Sequence, residues 1–148
     1  MSIEEQIKTN QILEHKKALI NTIYTANFIN DEIASVLKPF EISIQQFNVL
    51  RILKGQRGKP ANLSTIQERM VSKMSNTTRI VDKLIEKDYV SRATCIENRR
   101  KVEITITKEG KEFLNKVNVV VEKKELEMTS SLNENELEQI NQLLDKLR

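Results

Sequence analysis

The 148-residue chain contains one cysteine, one histidine, two prolines, three glycines and no tryptophan, and aromatics make up only 4% of it. A single cysteine excludes an internal disulfide and fits a reducing compartment. One histidine without a Cys or His companion leaves no ligand set for zinc, so no metal is expected. It also leaves no Ser/His/Asp or Cys/His constellation. No glycine-rich phosphate loop occurs, and the carboxylates fall at exposed helical positions, so neither an enzyme with catalytic residues nor a cofactor is expected. So little Gly and Pro, with no Ser/Gly-rich tract, repeat or low-complexity segment, speaks against a flexible two-domain chain. A single domain over 1–148 is expected, long enough to bury roughly two thirds of the unfolded chain's surface. The opening MSIEEQIKTNQ lacks a signal-peptide apolar stretch, and the apolar runs fall far short of the ~20 residues that span a bilayer. The expectation is a soluble, cytoplasmic protein with no membrane partner.

What is present is an uneven charge distribution. Residues 51–111 hold 15 Lys and Arg against 7 Asp and Glu, whereas residues 1–50 hold 4 against 6 and residues 112–148 hold 5 against 8. The net +3 thus hides a basic middle between two mildly acidic ends. A polyanion suits such a middle, because neutralising its phosphates releases condensed counterions.

The ends read as helices. From 11 to 37, Leu19, Ile20, Ile23, Tyr24, Phe28, Ile29, Ile33, Val36 and Leu37 recur at three- and four-residue steps up to Lys38-Pro39. A second helix opens at Ser43 with Gln46 three positions on, a capping-box spacing, and Phe47, Leu50 and Leu53 give its inner face. Gly55, Gly58 and Pro60 then break the chain in a loop made basic by Lys54, Arg57 and Lys59. A further helix runs from Lys108 to about Ser130, and a last one starts at Asn133, paired for capping with Glu136. Its stripe of Leu137, Ile140, Leu143, Leu144 and Leu147 is too apolar for an isolated terminal helix. Either the first helix of the same chain covers that stripe or a second copy does. The second arrangement is preferred, since long terminal helices outside a small lobe have too little intrachain surface to bury them.

Between these ends lies the pattern helix, turn, helix, strand, tip, strand. Ser64 is expected to cap a short helix carrying Ile66 and Met70 inward, with Val71-Ser72-Lys73 as the turn. Ser72 and Ser75 are expected to cap the next helix. At 100° per residue Thr77, Ile80, Val81 and Leu84 form that helix's core side, while Ser72, Ser75, Asn76, Arg79 and Lys83 line the other. The outer row starts at the end that a helix-turn-helix inserts into the major groove, where Arg79 suits a guanine edge or phosphate and Asn76 an adenine. Its first turns carry no acid, so backbone amides and the helix dipole favour phosphate there. Val102, Ile104 and Ile106 alternate with Glu103, Thr105 and Thr107, and Tyr89-Val90 begins the partner strand. The tip Glu97-Asn98-Arg99-Arg100-Lys101 points away from the core and suits a narrow minor groove. Lys59, Lys73, Lys83 and Arg99 are assigned mainly to phosphates. A winged module can instead bind protein or only RNA, but a protein-binding version calls for an apolar patch where this chain has Ser75, Asn76, Arg79, Arg99 and Arg100.

Taken nearly end to end, the chain resembles the MarR (multiple antibiotic resistance regulator) family of winged helix-turn-helix transcription factors. The resemblance rests on Leu63 to Leu84, on Leu84-Ile85-Glu86-Lys87-Asp88-Tyr89-Val90-Ser91-Arg92, on Asn98-Arg99-Arg100 followed by Ile104-Thr105-Ile106-Thr107-Lys108-Glu109-Gly110, and on Leu132-Asn133-Glu134-Asn135-Glu136-Leu137. It implies a mainly α fold with a small β-wing. Dimerisation helices would occupy about 8–38 and 108–148, the helix-turn-helix about 63–87 and the wing about 88–107. It further implies a homodimer reading a pseudo-palindromic operator in double-stranded DNA, usually as a repressor released by a small-molecule effector or by oxidation. Two positions depart from the family pattern: Asn98 replaces the usual wing aspartate, and Asp88 replaces the usual glycine after the recognition helix. Family members commonly hold an effector in the crevice between dimer helices and lobe, which Tyr24, Phe28, Phe47 and Met70 can reach unless they are simply core. Cys95 lies in the wing rather than near the start of the first helix, where oxidation-sensing relatives carry their reactive thiol, so a structural or incidental thiol is expected.

Overall fold

The computed structural model describes residues 1–148. In chain order it contains α1 (Ile3–Gln6), α2 (Glu14–Leu37), a 3-10 turn (Lys38–Phe40), α3 (Ile44–Gly55), α4 (Leu63–Arg69), α5 (Thr77–Glu86), β1 (Val90–Thr94), β2 (Val102–Ile106), α6 (Lys108–Thr129) and α7 (Glu134–Leu147). The fold is therefore mainly helical with one small antiparallel sheet. No helix is long and apolar enough to cross a membrane.

Every α-helix except α2 starts on a side-chain cap. Ser43 and Gln46 form the capping box of α3, and Asn133 and Glu136 that of α7, each satisfying a donor that the helix leaves unpaired. Two expected starts are displaced. The cap of α4 is Asn62, whose Oδ1 accepts from Thr65 N at 2.8 Å, while Ser64 lies inside the helix and its hydroxyl donates to the same Asn62 oxygen. The cap of α5 is Asn76, which accepts from Arg79 N at 3.1 Å, so Ser72 and Ser75 belong to the preceding turn rather than to the helix. Asn caps as well as Ser does, and in both places it stands immediately before the first residue that can turn inward.

The core lies in the lobe and at its junction with α2 and α6. Leu37, Leu50, Leu53, Ile66, Met70, Leu84, Ile104 and Leu114 are fully enclosed, drawn from α2, α3, α4, α5, β2 and α6. β1 pairs with β2 from Val90 opposite Ile106 to Thr94 opposite Val102. Ala61 adds a single-residue bridge to the other edge of β2, exchanging both backbone hydrogen bonds with Ile104 at 2.8 and 2.9 Å. The loop before α4 thereby closes the wing's inner edge, which the sequence pattern alone does not reveal. Asp88 takes the left-handed conformation (φ 61°) that turns the chain from α5 into β1, a geometry an aspartate tolerates better than most non-glycine residues.

Outside the lobe the helices are bare. α2 buries only Ile33 and Leu37, both at its C-terminal end, and α7 buries no residue. Leu19, Ile23, Phe28 and Ile29 on α2 stand exposed, Ile23 to 63%, as do Ile140, Leu143 and Leu147 on α7, Leu143 to 67%. Within one protomer, then, the first long helix does not cover the stripe of the last. Lys124 on α6 ties to α2 through Glu32 at 3.0 Å, a hydrogen bond that holds its ammonium above the ordinary lysine range. The short α1, which the sequence reading did not anticipate, folds back on α2. Ile3 is buried, Tyr24 Oη donates to Gln6 Oε1 at 3.0 Å, and Lys17 pairs with Glu4 at 2.9 Å.

Candidate nucleic-acid interface

A cleft of about 500 Å³ opens between the start of α3 and the start of α5. Ser43, Gln45 and Gln46 form one wall, and Ser72, Met74, Ser75, Asn76, Arg79, Ile80 and Lys83 form the other. No carboxylate lines it. Asp82, the acid nearest this surface in sequence, is held by Arg92 of β1 at 2.9 Å, and Glu86 is held by Lys83 at 3.1 Å. Such exposed pairs contribute little to stability. Their effect here is to draw negative charge away from the helix face while fastening the wing to α5.

The structure thus brings Ser72, Ser75, Asn76, Arg79 and Lys83 together, although two of them reach the cleft from the turn. Thr77, Val81 and Leu84 face the core, as their spacing predicts, and Ile80 is half-buried. Arg79 pairs with no carboxylate of the chain. Asn76 spends its Oδ1 on the helix cap, which leaves its amide NH2 as the group facing outward. The Ser75 hydroxyl oxygen is buried and unpartnered. Lys73 donates to the Glu68 carbonyl, so its ammonium is drawn toward the end of α4.

Gln67 organises this turn. Its Nε2 donates to the Lys73 carbonyl at 2.6 Å, and its Oε1 accepts from the hydroxyl of Thr77, the first residue of α5. One amide thereby joins α4, the turn and α5. In the sequence Gln67 is only a polar residue of a short helix, and its spacing to Thr77 carries no motif that would single it out.

At the wing tip, Cys95 N donates to the Lys101 carbonyl at 3.0 Å and Lys101 N to the Asn98 carbonyl at 2.9 Å, closing a tight loop. Asn98 Oδ1 accepts from the backbone N–H of Arg100 at 3.1 Å. Asn98 therefore shapes the tip's backbone and leaves the Arg100 guanidinium free. Arg99, Arg100 and Lys101 are exposed without ion-pair partners, and Lys59, in the loop before α4, is likewise exposed and unpaired. Cys95 is a partly exposed free thiol.

The expected effector residues are not brought together. Phe47 and Met70 are sealed in the lobe core, where α3 and α4 pack on α5. Tyr24 and Phe28 instead face a separate cleft of about 260 Å³ between α2 and the N-terminal segment, beside Met1, Ile3 and Gln6. The helical period that places all four on inward faces does not distinguish the face toward the lobe from the face toward α1.

Residues 42–102, from the loop before α3 to the start of β2, match the MarR family model. The matched segment covers 61 of the 148 residues. Among its relatives is the HTH-type transcriptional regulator YpoP of Bacillus subtilis (strain 168), 29% identical over 108 residues, covering 73% of each chain. MarR-type folds also superpose on it. A mutant MarR from E. coli complexed with operator DNA aligns with TM-score 0.79 at 21% identity, over 93% of this chain and 99% of that one. The organohalide-sensing RdhR regulator in its 2,4-dichlorophenol-bound form aligns with TM-score 0.82 at 19% identity, over 92% of this chain and 80% of that one. The MarR-matching segment contains the whole acid-free cleft and most of the wing.

Proposed function

We propose that this protein is a sequence-specific, double-stranded DNA-binding transcriptional regulator that works as a homodimer. The observation that carries this is the cleft at the start of α5, which presents Asn76, Arg79 and Lys83 with no Asp or Glu among its lining residues. A polyanion can approach that surface without meeting repulsion, and the exposed N-terminal turn of α5 adds its dipole. In this reading α5 enters the major groove. Ser72, Asn76 and Arg79 meet base edges there, and Lys59, Lys73 and Lys83 meet phosphates. Ser75, expected from the sequence to take part, has its hydroxyl turned inward and shapes the turn instead. The wing carries Arg100 into the adjoining minor groove, with Asn98 fixing the backbone and Arg99 and Lys101 on flanking phosphates. The bare apolar faces of α2 and α7 cover one another across the twofold axis, which sets two lobes on half-sites about one helical turn apart.

Repression released by a small ligand is the regulatory mode that fits this resemblance to the MarR family. The RdhR structure holds 2,4-dichlorophenol. For this chain the accessible aromatic surface that fits a comparable effector is Tyr24 and Phe28 on α2, not Phe47 or Met70.

Titration of the purified protein on duplex DNA from its own upstream intergenic region, with scrambled duplex as competitor, tests the reading. Selective binding is expected, and equal affinity for both duplexes overturns it. Replacing Arg100 by Ala is expected to weaken operator binding by about 1–3 kcal/mol and to lower the slope of log Kobs against log salt by about one unit. A slope identical to that of the wild type removes the wing from the interface.

A further inference from the structure

Exposed large apolar side chains divide into two groups. Most lie on the N-terminal segment, α2, α6 and α7, whereas the whole stretch from residue 38 to residue 107 has only Val71, Met74 and Ile96. Met74 is the notable one. It is 95% exposed, stands at the apex of the turn leading into α5, and lines the cleft beside Ser72, Asn76 and Arg79.

The backbone beneath Met74 is held on both sides. Ser75 N donates to the Ser72 carbonyl at 3.3 Å, and Gln67 grips the Lys73 carbonyl and the Thr77 hydroxyl. A long apolar side chain fixed in water gains free energy only when another apolar group covers it. The surface around it is polar or cationic and fits a nucleic-acid duplex. In the major groove of that duplex the apolar group on offer is the C5-methyl of thymine. Ser, Asn and Arg side chains read hydrogen-bonding edges, and none of them distinguishes a methyl group. A protein partner fits less well: Val71 and Met74 are two separate apolar side chains rather than a contiguous patch, and Lys73 and Arg79 interrupt them.

We infer that Met74 is a specificity-determining residue that packs its thioether side chain against the C5-methyl of one thymine in each half-site. This rests on the DNA-binding reading above. It is separable from that reading, because a protein that binds its operator need not read a methyl group at this position.

The test uses the full-length protein and an operator selected by it from a random duplex library. Each thymine of one half-site is replaced in turn by deoxyuridine, which removes the methyl group and keeps every hydrogen-bonding edge. Wild type is expected to lose about fourfold in affinity at one thymine, the worth of one buried methyl group. Met74→Ala and Met74→Gln are expected to bind the thymine and deoxyuridine operators equally at that position, and Met74→Leu to keep the discrimination. Because the side chain is exposed, all three variants are expected to melt with wild type. A flat deoxyuridine scan for wild type overturns the inference, as does a methyl preference that persists in Met74→Ala, and both leave DNA binding itself standing. Failure of wild type to select any duplex overturns the DNA-binding reading and this inference together.

Discussion

Deleting residues 133–148 is expected to convert the protein to monomers and to lower operator affinity by about 10²–10⁴-fold, the range over which a tethered second site strengthens binding. α7 buries no residue in its own protomer, so its removal leaves the core of Leu50, Ile66, Leu84 and Ile104 intact. What it removes is an apolar stripe through Ile140, Leu143 and Leu147 that one protomer leaves in water. A 14-residue helix with that stripe uncovered is marginal in water, and its capping box at Asn133 does not alter that balance. Covering it against the open face of α2, where Leu19 and Ile23 stand exposed, satisfies both helices at once. Loss of the partner lobe then leaves one recognition helix on one half-site. Sedimentation of the truncated chain, together with its titration on the operator, checks both parts. A truncate that remains dimeric, or that binds as tightly as the full chain, overturns the assignment of α7 to the dimer base.

The elements were legible in the sequence wherever a long period or an unambiguous cap marked them. α2, α3, α6 and α7 follow the three- and four-residue recurrence of their apolar residues, and Ser43 with Gln46 and Asn133 with Glu136 act as the caps their spacing predicts. The wing follows the alternation of Val102, Ile104 and Ile106. Legibility fails where several capping residues crowd together. In Asn62-Leu63-Ser64 and Ser75-Asn76-Thr77 each polar residue can cap, and the choice is made by which following residue can reach the core: Ile66 for α4, Thr77 and Val81 for α5. It fails also for contacts that depend on three-dimensional closeness alone. The Gln67 clamp, the Ala61–Ile104 bridge and the folding of α1 onto Tyr24 have no periodic signature. For the candidate interface, side chain type was sufficient to nominate Arg79, Arg99 and Arg100, which the structure leaves exposed and without ion-pair partners. The apolar Met74 was invisible to a search for charge and hydrogen-bonding groups, because a methionine in a sequence reads as core until its exposure is known.

Replacing Gly110 by alanine is expected to destabilise the fold by about 3 kcal/mol, at the upper end of ordinary overpacking, and to lower Tm by roughly 6–12 °C. Gly110 sits in the first turn of α6, capped by Thr107, whose hydroxyl accepts from Gly110 N at 3.0 Å and donates to the Asp88 carbonyl at 2.6 Å. Thr107 N in turn donates to the Tyr89 carbonyl at 3.0 Å. These bonds draw the start of α6 so close to the α5–β1 turn that a methyl group on Gly110 would overlap the Tyr89 carbonyl oxygen and stand 2.9 Å from Ile106 Cγ1. The obstacle is backbone, so no side-chain rotation relieves it, and the helix must move. Tyr89 stacks on Phe113 with ring centroids 4.3 Å apart, and Phe113 meets Phe40 edge-on at 6.2 Å. A shift of α6 therefore disturbs the joint between lobe and helical base as well as the turn. In the proposed dimer that joint would set the separation of the two lobes, so the variant should lose operator affinity at temperatures well below its own melting. Thermal unfolding gives the first quantity and operator titration at 25 °C the second. A variant that melts with wild type shows that α6 can retreat from Tyr89 at no cost. One that melts early but binds normally shows that lobe spacing does not depend on this contact.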